Sequence, residues 1–385
     1  MIHTLKNITQ NVEIQQPIDC LDNKEHNLVE WWLQLGDITP KEHAIINQPC
    51  NYNKMLTVDT NWEEVQERMR LYLPYQGGFN NNSWDINLNG YNLYLGKGAT
   101  ELIYEIFKKE VDDNTLIITS VVEHPAVNDA IERLGRTGID HVRINYENGI
   151  RELNISQVMN ACKSKQYKKA FVMIIGTQVS TGEITPQKFF IKLKNYLESQ
   201  GIQTTMAIDD VQGMYLVPRN YNIFDYAIFS AHILVRPFVL GLVWSKKKLD
   251  FGYQYTGWVQ QLLPKLKIML KFQQKFNTFS EVLKDEFREY LYRDDIQYMS
   301  DSVPYIFSMK VKCPPRVIYS LYDKDAWLED YEVKLESDNI LTNESFYIRL
   351  RAAQYITTPE KLVRAIPQIK KMLDNVIEYN GSIND

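Results

Sequence analysis

From Leu93 onward, short apolar runs alternate with amphipathic segments, the texture of a parallel sheet whose strands are covered on both faces by helices. Leu102, Ile103, Ile106 and Phe107 fall at helical spacing just after Gly98, and LIITS (116–120) follows as a buried strand. Pro125 suits a first helical turn, Val127, Ile131 and Leu134 make one apolar face, and Gly135 can close that helix. HVRINYE (141–147) alternates like a strand, and AFVMIIG (170–176) is a continuous apolar run. Pro186 opens a helix through Phe189, Phe190, Leu193, Tyr196 and Leu197 that Gly201 ends. TTMAID (204–209), YAIFS (226–230) and VLGLVW (239–244) complete the strands, together with 93–96. The long apolar stretch 226–244 is interrupted by His232, Arg236 and Pro237, which predicts two strands and a turn rather than a membrane span.

The first ninety residues are less regular, with a helical patch at 61–72 and a polar, Gly- and Asn-rich loop at 75–92. A long helix is expected over 262–276, an alternating segment over 345–355, and a last helix started by Thr358-Pro359-Glu360 with Leu362, Ile366, Ile369, Leu373 and Val376 on one face. The expected fold is α/β: a mainly parallel seven-stranded sheet sandwiched by helices, and a smaller α+β domain formed by the C-terminal part with the N-terminal segment. The expected boundaries are 1–85, 86–255, a connecting helix at 256–280, and 281–385.

With 44% hydrophobic and 24% charged residues, the 385-residue chain is far from the composition of disorder. A net charge of −5 and a pI near 5.8 argue against a nucleic-acid-coating protein. Cys20, Cys50, Cys162 and Cys313 are scattered singly, so neither a disulfide framework nor a zinc site is expected, and a cytoplasmic setting fits. The N-terminus lacks the pattern of a signal peptide.

In an open parallel sheet, ligands sit beyond the carboxyl ends of the strands. Those positions carry Gly96-Lys97-Gly98-Ala99-Thr100-Glu101, then Glu123 and His124, then Thr177, Gln178, Ser180, Thr181 and Gly182, then Asp209, Asp210 and Gln212, then Ser230 and His232. Small residues leading into a helix leave N–H groups free for a phosphate. Each residue alone reads first as an N-cap or a loop residue; their recurrence at successive strand ends points to a site.

In this order the residues resemble the fold type I superfamily of PLP-dependent transferases, in the branch of class V aminotransferases and cysteine desulfurases. The resemblance runs from about Gly96 to Gly257, with a further match near Arg349. It implies that Gly98, Ala99 and Thr100 hold the cofactor phosphate with Ser230, that His124 stacks on the pyridine ring, and that Gln178 lies beside ring and substrate. Asp209-Asp210-Val211-Gln212 is similar to the family's D-x-x-Q, which implies Asp209 at the ring nitrogen and Gln212 on the ring-oxygen side. A carboxylate there keeps the ring protonated and makes it an electron sink.

Ser230-Ala231-His232-Ile233 stands where the family has S-x-H-K, so the Schiff-base lysine is replaced by Ile233. Isoleucine can neither anchor the aldehyde nor move a proton. No lysine lies between Lys194 and Lys246, and Lys246, Lys247 and Lys248 follow a strand expected to lead to the other end of the sheet. His232 matches the histidine the family has before its lysine; it is the one candidate catalytic base, with positioning or packing as its other role. Arg236 stands where the family often has glycine, and Trp258 replaces the threonine after Thr256-Gly257. Arg349 aligns with the arginine that clamps a substrate carboxylate, and Arg351 lies on the same strand face, so either serves that role or both are solvated. Cys313 does not follow the family's catalytic-cysteine loop.

Three readings follow. One is an enzyme that binds PLP or PMP noncovalently and acts on an amino-acid-like or keto-acid substrate. Another is a catalytically inactive relative acting as a binding, regulatory or subunit-partner protein. The last uses the old phosphate cradle for a different ligand. Asp209 favours the first and the lost lysine the second. A homodimer is implied by the resemblance, and no nucleic-acid, membrane or metal partner is expected.

Overall fold

The computed structural model describes residues 39–47, 62–72, 90–135, 139–147, 152–213, 217, 219–231, 240–252, 256–271, 278–299, 303–313, 334–337, 345–352 and 359–384. The strands of the larger half are β1 (Asn92–Gly96), β2 (Thr115–Ser120), β3 (His141–Ile144), β4 (Tyr146–Glu147), β5 (Glu152–Leu153), β6 (Lys169–Ile175), β7 (Gln203–Asp209), β8 (Tyr226–Ser230) and β9 (Gly241–Ser245). Seven of them form one sheet in the order β1-β9-β8-β7-β6-β2-β3. From β8 to β3 every neighbouring pair is parallel, whereas β9 runs antiparallel to both β1 and β8. The expected mainly parallel, helix-covered α/β fold is therefore present.

Strands β2, β8 and β9 are buried at every position, and β6 at all but its first. Period-2 alternation divides these side chains between two cores. Ile117, Phe171, Met173, Ala207, Ile228 and Val243 face α3 (Ala99–Glu110) and α4 (Pro125–Arg133), with Phe107 edge-on to Phe171 at 4.9 Å. Ile118, Val172, Ile174, Ile208 and Phe229 face the other way, toward α5 (Ser156–Ser164), α6 (Gln187–Ser199) and α7 (Thr256–Lys271). Helix α3 buries Leu102, Ile103, Ile106 and Phe107, the face the sequence spacing marked, each side chain stabilising the fold by about 1.5–3 kcal/mol. Gly135 and Gly201 take φ of 60° and 72°, the left-handed geometry that stops α4 and α6.

The outer edge of β1 is covered. Helix α2 (Trp62–Tyr72) buries Val65 and Met69, and its Gln66 Oε1 accepts the Leu93 N–H at 2.7 Å. Helices α1 (Pro40–Asn47) and α2 both pack against α7. The segment read as one strand over 141–147 is split at Asn145: β3 joins the large sheet, while β4 pairs with β5.

A second, antiparallel sheet follows: β10 (Ile296–Tyr298), β11 (Ile306–Lys312), β12 (Lys334–Ser337) and β13 (Ser345–Arg351), in the order β10-β11-β13-β12. Helix α8 (Phe279–Glu286) packs on β11 and α9 (Arg288–Leu291) on β10, and α10 (Pro359–Asn384) buries the five apolar positions its sequence spacing predicted. No described helix is long and apolar enough to cross a membrane.

Candidate functional site

The carboxyl ends of β2, β6, β7 and β8 carry the polar residues, and the register places them side by side: Ile175 on β6 lies opposite Asp209 on β7. Strand β7 ends in two consecutive carboxylates with opposite fates. Asp210, fully buried, accepts the Arg219 Nε–H on both oxygens at 3.1 Å and the Tyr221 hydroxyl at 2.6 Å. The same guanidinium donates to the carbonyls of Thr185, at 2.9 Å, and Gly176. A Cβ at Gly176 or Gly213 would lie 2.3 Å from Asp210 Oδ1, so both glycines make room for this carboxylate. Asp210 is thereby neutralised inside the fold.

Asp209, 3% exposed, has no such ion pair among the described residues. Among the described residues its Oδ1 accepts only the Val211 N–H, at 3.1 Å. Burial holds its carboxyl above the usual range and Asp210 adds to this, while the charge of His124 and the Val211 N–H pull it down. His124 is the exposed N-cap of α4: its Nδ1 accepts the Ala126 N–H at 3.2 Å, with Pro125 at the first helical position. The structure thus brings His124 and Asp209 within electrostatic reach of each other.

Glu123, the buried residue before His124, feels the charge of Asp209. Its Oε1 accepts from the Ser120 N–H at 3.0 Å, the Ser120 hydroxyl at 2.5 Å and the Ile175 N–H at 3.2 Å, while its buried Oε2 has no partner among the described residues. Burial pushes the carboxyl up to about 8, against these hydrogen bonds and helped by Asp209. Sequence reasoning named Glu123 only as the neighbour of His124, and it missed Arg219 altogether.

The phosphate-cradle candidates also converge. Gly241 pairs with Gly96 on one side and Ser230 on the other, and a Cβ on Gly241 would lie 2.4 Å from the Gly98 backbone. Only glycine lets the N-terminus of α3 rest on β9 beside Ser230. Gly98 precedes α3 without a side-chain cap, and Ala99 and exposed Thr100 open its first turn. Ser230 is buried and its hydroxyl donates to the Leu240 carbonyl at 3.4 Å.

The turn after β6 is tightened by Gly182 at φ 76°; the buried Gln178 accepts from the Thr181 hydroxyl at 2.9 Å. Strand β13 reaches this turn from the second sheet, where Arg349 donates to the Val179 carbonyl at 2.6 Å and Ser308 on β11 to the Ser180 carbonyl at 2.5 Å. The Gln212 carbonyl accepts from the Tyr305 hydroxyl at 2.9 Å and from Arg351 at 3.4 Å, with the Arg351 guanidinium 5.6 Å from the Tyr305 ring centre. Both arginines are therefore buried, at 8% and 2% exposure, and not solvated.

His232, Ile233, Arg236 and Pro237 lie outside the described residues, as do Tyr255 and the side chain of Trp258. Lys246 and Lys247 follow β9 to the opposite end of the sheet: Ser245 pairs with Tyr226 at the start of β8, and Lys247 Nζ bonds Glu110 at 2.6 Å and Thr205 at 2.8 Å. A lysine from this run does not reach the Asp209 end. Cys313 is buried, and burial pushes its thiol up to about 11, away from a reactive thiolate. Among the described residues no cluster of His, Cys, Asp or Glu is arranged to hold a metal.

Among the described residues, the strand ends thus carry a buried carboxylate without an ion-pair partner, an imidazole within its electrostatic reach, and a glycine-lined helix start beside a serine.

No family model matches the sequence, and no curated protein matches it in sequence. Solved structures do. The chain is similar to a NifS-like protein from Rickettsia africae (13% identity, 91% of this chain and 96% of that one, TM-score 0.58). It is similar to a multiple substrate aminotransferase from Thermococcus profundus (10% identity, 92% and 88% of the two chains, TM-score 0.59). A PLP-bound C-S lyase from Staphylococcus hominis aligns at 12% identity over 91% and 90%, with a TM-score of 0.56. The chain has the PLP-transferase fold that the resemblance implied.

Proposed function

We propose that this chain binds pyridoxal phosphate or pyridoxamine phosphate without a covalent link and acts on an amino-acid or keto-acid substrate. The observation that carries the reading is Asp209: among the described residues this buried carboxylate has no ion-pair partner and only the charge of His124 acting on it, while the adjacent Asp210 is paired with Arg219. A charge left alone in the interior is costly, and a protonated ring nitrogen would complete it. The bound cofactor would supply an electron sink for a carbanion at the substrate α-carbon.

The chain's own residues then divide the work. Asp209 holds a proton at the ring nitrogen, and His124 covers the ring. Gly98, Ala99, Thr100 and Ser230 bind the phosphate, and Gln178 and Gln212 flank the ring. Arg349 or Arg351 orients the substrate carboxylate, and His232 is the remaining candidate for moving a proton. Pyridoxamine phosphate carries its own amine, so Ile233 is no obstacle to holding it. A homodimer with cytoplasmic location goes with this reading.

A second reading, a catalytically inactive relative that serves as a binding, regulatory or subunit-partner protein, is supported by the arginines, whose hydrogen bonds go to the Val179 and Gln212 carbonyls. Absorbance spectra after addition of PLP or PMP, with and without borohydride, followed by incubation with amino and keto acids, separate the two. Reversible spectral binding that responds to substrate is expected; binding without turnover of any such acid supports the second reading. No binding of either cofactor overturns both forms of the cofactor site.

A further inference from the structure

The pairing of β2 with β6 ends at Ile118 opposite Val172 and the chain turns at Val121, so the Ile175 N–H has no partner on β2. Glu123 fills that gap. Its Oε1 gathers the Ile175 N–H, the Ser120 N–H and the Ser120 hydroxyl, tying the two strand ends together one residue before His124 starts α4. Among the described residues no cation pairs with Glu123: its donors are all neutral and converge on one oxygen, and the other oxygen is buried without a donor, so little there offsets the cost of a buried charge. Ile175 is also the register partner of Asp209, so the two carboxyl groups flank the same residue of β6.

We propose that Glu123 serves the site as a neutral carboxylic acid, a positioning residue that bolts β2 to β6, fixes the start of α4 and leaves Asp209 the single anion available to the ring. The assignment rests on the reading of Asp209 as the partner of a ring nitrogen. Among the described residues the charge that acts on Glu123 is Asp209 from β7; His124 is its chain neighbour, Asp210 is paired with Arg219, and Ser120 and Ile175 contribute only neutral donors. Ionised Glu123 would set a second negative charge against Asp209 and raise the cost of charging it.

The test compares wild type with Glu123→Gln, which keeps an acceptor and a donor but cannot ionise, and with Glu123→Ala. Dissociation constants for PMP and unfolding temperatures of the cofactor-free protein are measured from about pH 6 to about pH 9.5, a range that brackets the ionisation. Near pH 6.5, Glu123→Ala is expected to weaken PMP binding about tenfold and Glu123→Gln to restore it to within about threefold. From about pH 6 to about pH 8, wild type is expected to lose unfolding temperature relative to Glu123→Gln, the difference levelling off above about pH 8, where its affinity for PMP falls relative to the variant. If Glu123→Gln binds as poorly as Glu123→Ala near pH 6.5, or if wild type and Glu123→Gln run parallel across the range, the assignment is overturned. If no protein binds PMP, the cofactor reading has failed. The unfolding curves still decide the neutral acid, since a pH-independent difference between wild type and Glu123→Gln contradicts it.

Discussion

Replacing Arg219 by methionine tests why one of two adjacent carboxylates is free for a ligand. Arg219 and Asp210 are 2% and 0% exposed, and the guanidinium also serves the Thr185 and Gly176 carbonyls. Methionine fills most of the volume but leaves Asp210, among the described residues, with only the Tyr221 hydroxyl as a side-chain donor, a buried and uncompensated charge. Breaking a buried pair from one side costs about 3–5 kcal/mol. Urea unfolding followed by circular dichroism reads this as a lower midpoint at unchanged slope. The double variant Arg219→Met with Asp210→Leu removes the stranded charge as well and is expected to recover about half of the loss or more. A loss below about 1 kcal/mol for Arg219→Met, the level of an exposed pair, would refute the claim that Asp210 is held by a desolvated ion pair and that Asp209 is the ligand-facing member.

Other consequences are equally direct. Gly241→Ala places a Cβ 2.4 Å from the Gly98 backbone and is expected to cost about 1–3 kcal/mol and to weaken phosphate-dependent binding of PMP more than binding of unphosphorylated pyridoxamine; equal effects on both ligands would contradict the cradle. Lys247→Met breaks bonds to Glu110 and Thr205 at the opposite end of the sheet, so a loss of about 1–3 kcal/mol is expected with no change in PMP affinity, measured by titration of the folded protein. Ile233→Lys is expected to retain PLP after borohydride reduction as an added mass on the chain. Absence of that mass would mean that position 233 does not face the cofactor.

Where burial alone decides, the sequence is readable. The strands at 170–176 and 226–230 declare themselves because both faces are covered, and the helix after Gly98 because its apolar stripe must meet the sheet. Alternation does not name a partner, which is why His141 to Glu147 reads as one strand although Tyr146 and Glu147 pair with β5 instead of β2. The strand-end rule locates Asp209, His124, Gln178 and Ser230 because it depends on chain direction, a local property. Arg219 is invisible to it: the residue sits in an aperiodic loop and its partner is set by a fold-level approach of that loop to the turn at Gly176. Glu123 is visible as a residue type but not as a buried acid, because its environment comes from Ile175, far away in sequence. The destinations of Arg349 and Arg351 likewise depend on how the second sheet meets the first.

The central claim is that Asp209 is the charge partner of a cofactor ring. It is tested most directly by titrating folded wild type and folded Asp209→Ala with PMP and following the cofactor's absorbance. The account predicts saturable binding by wild type and a loss of about tenfold or more in the variant. Equal affinity of the two proteins, or no binding by wild type, would contradict it.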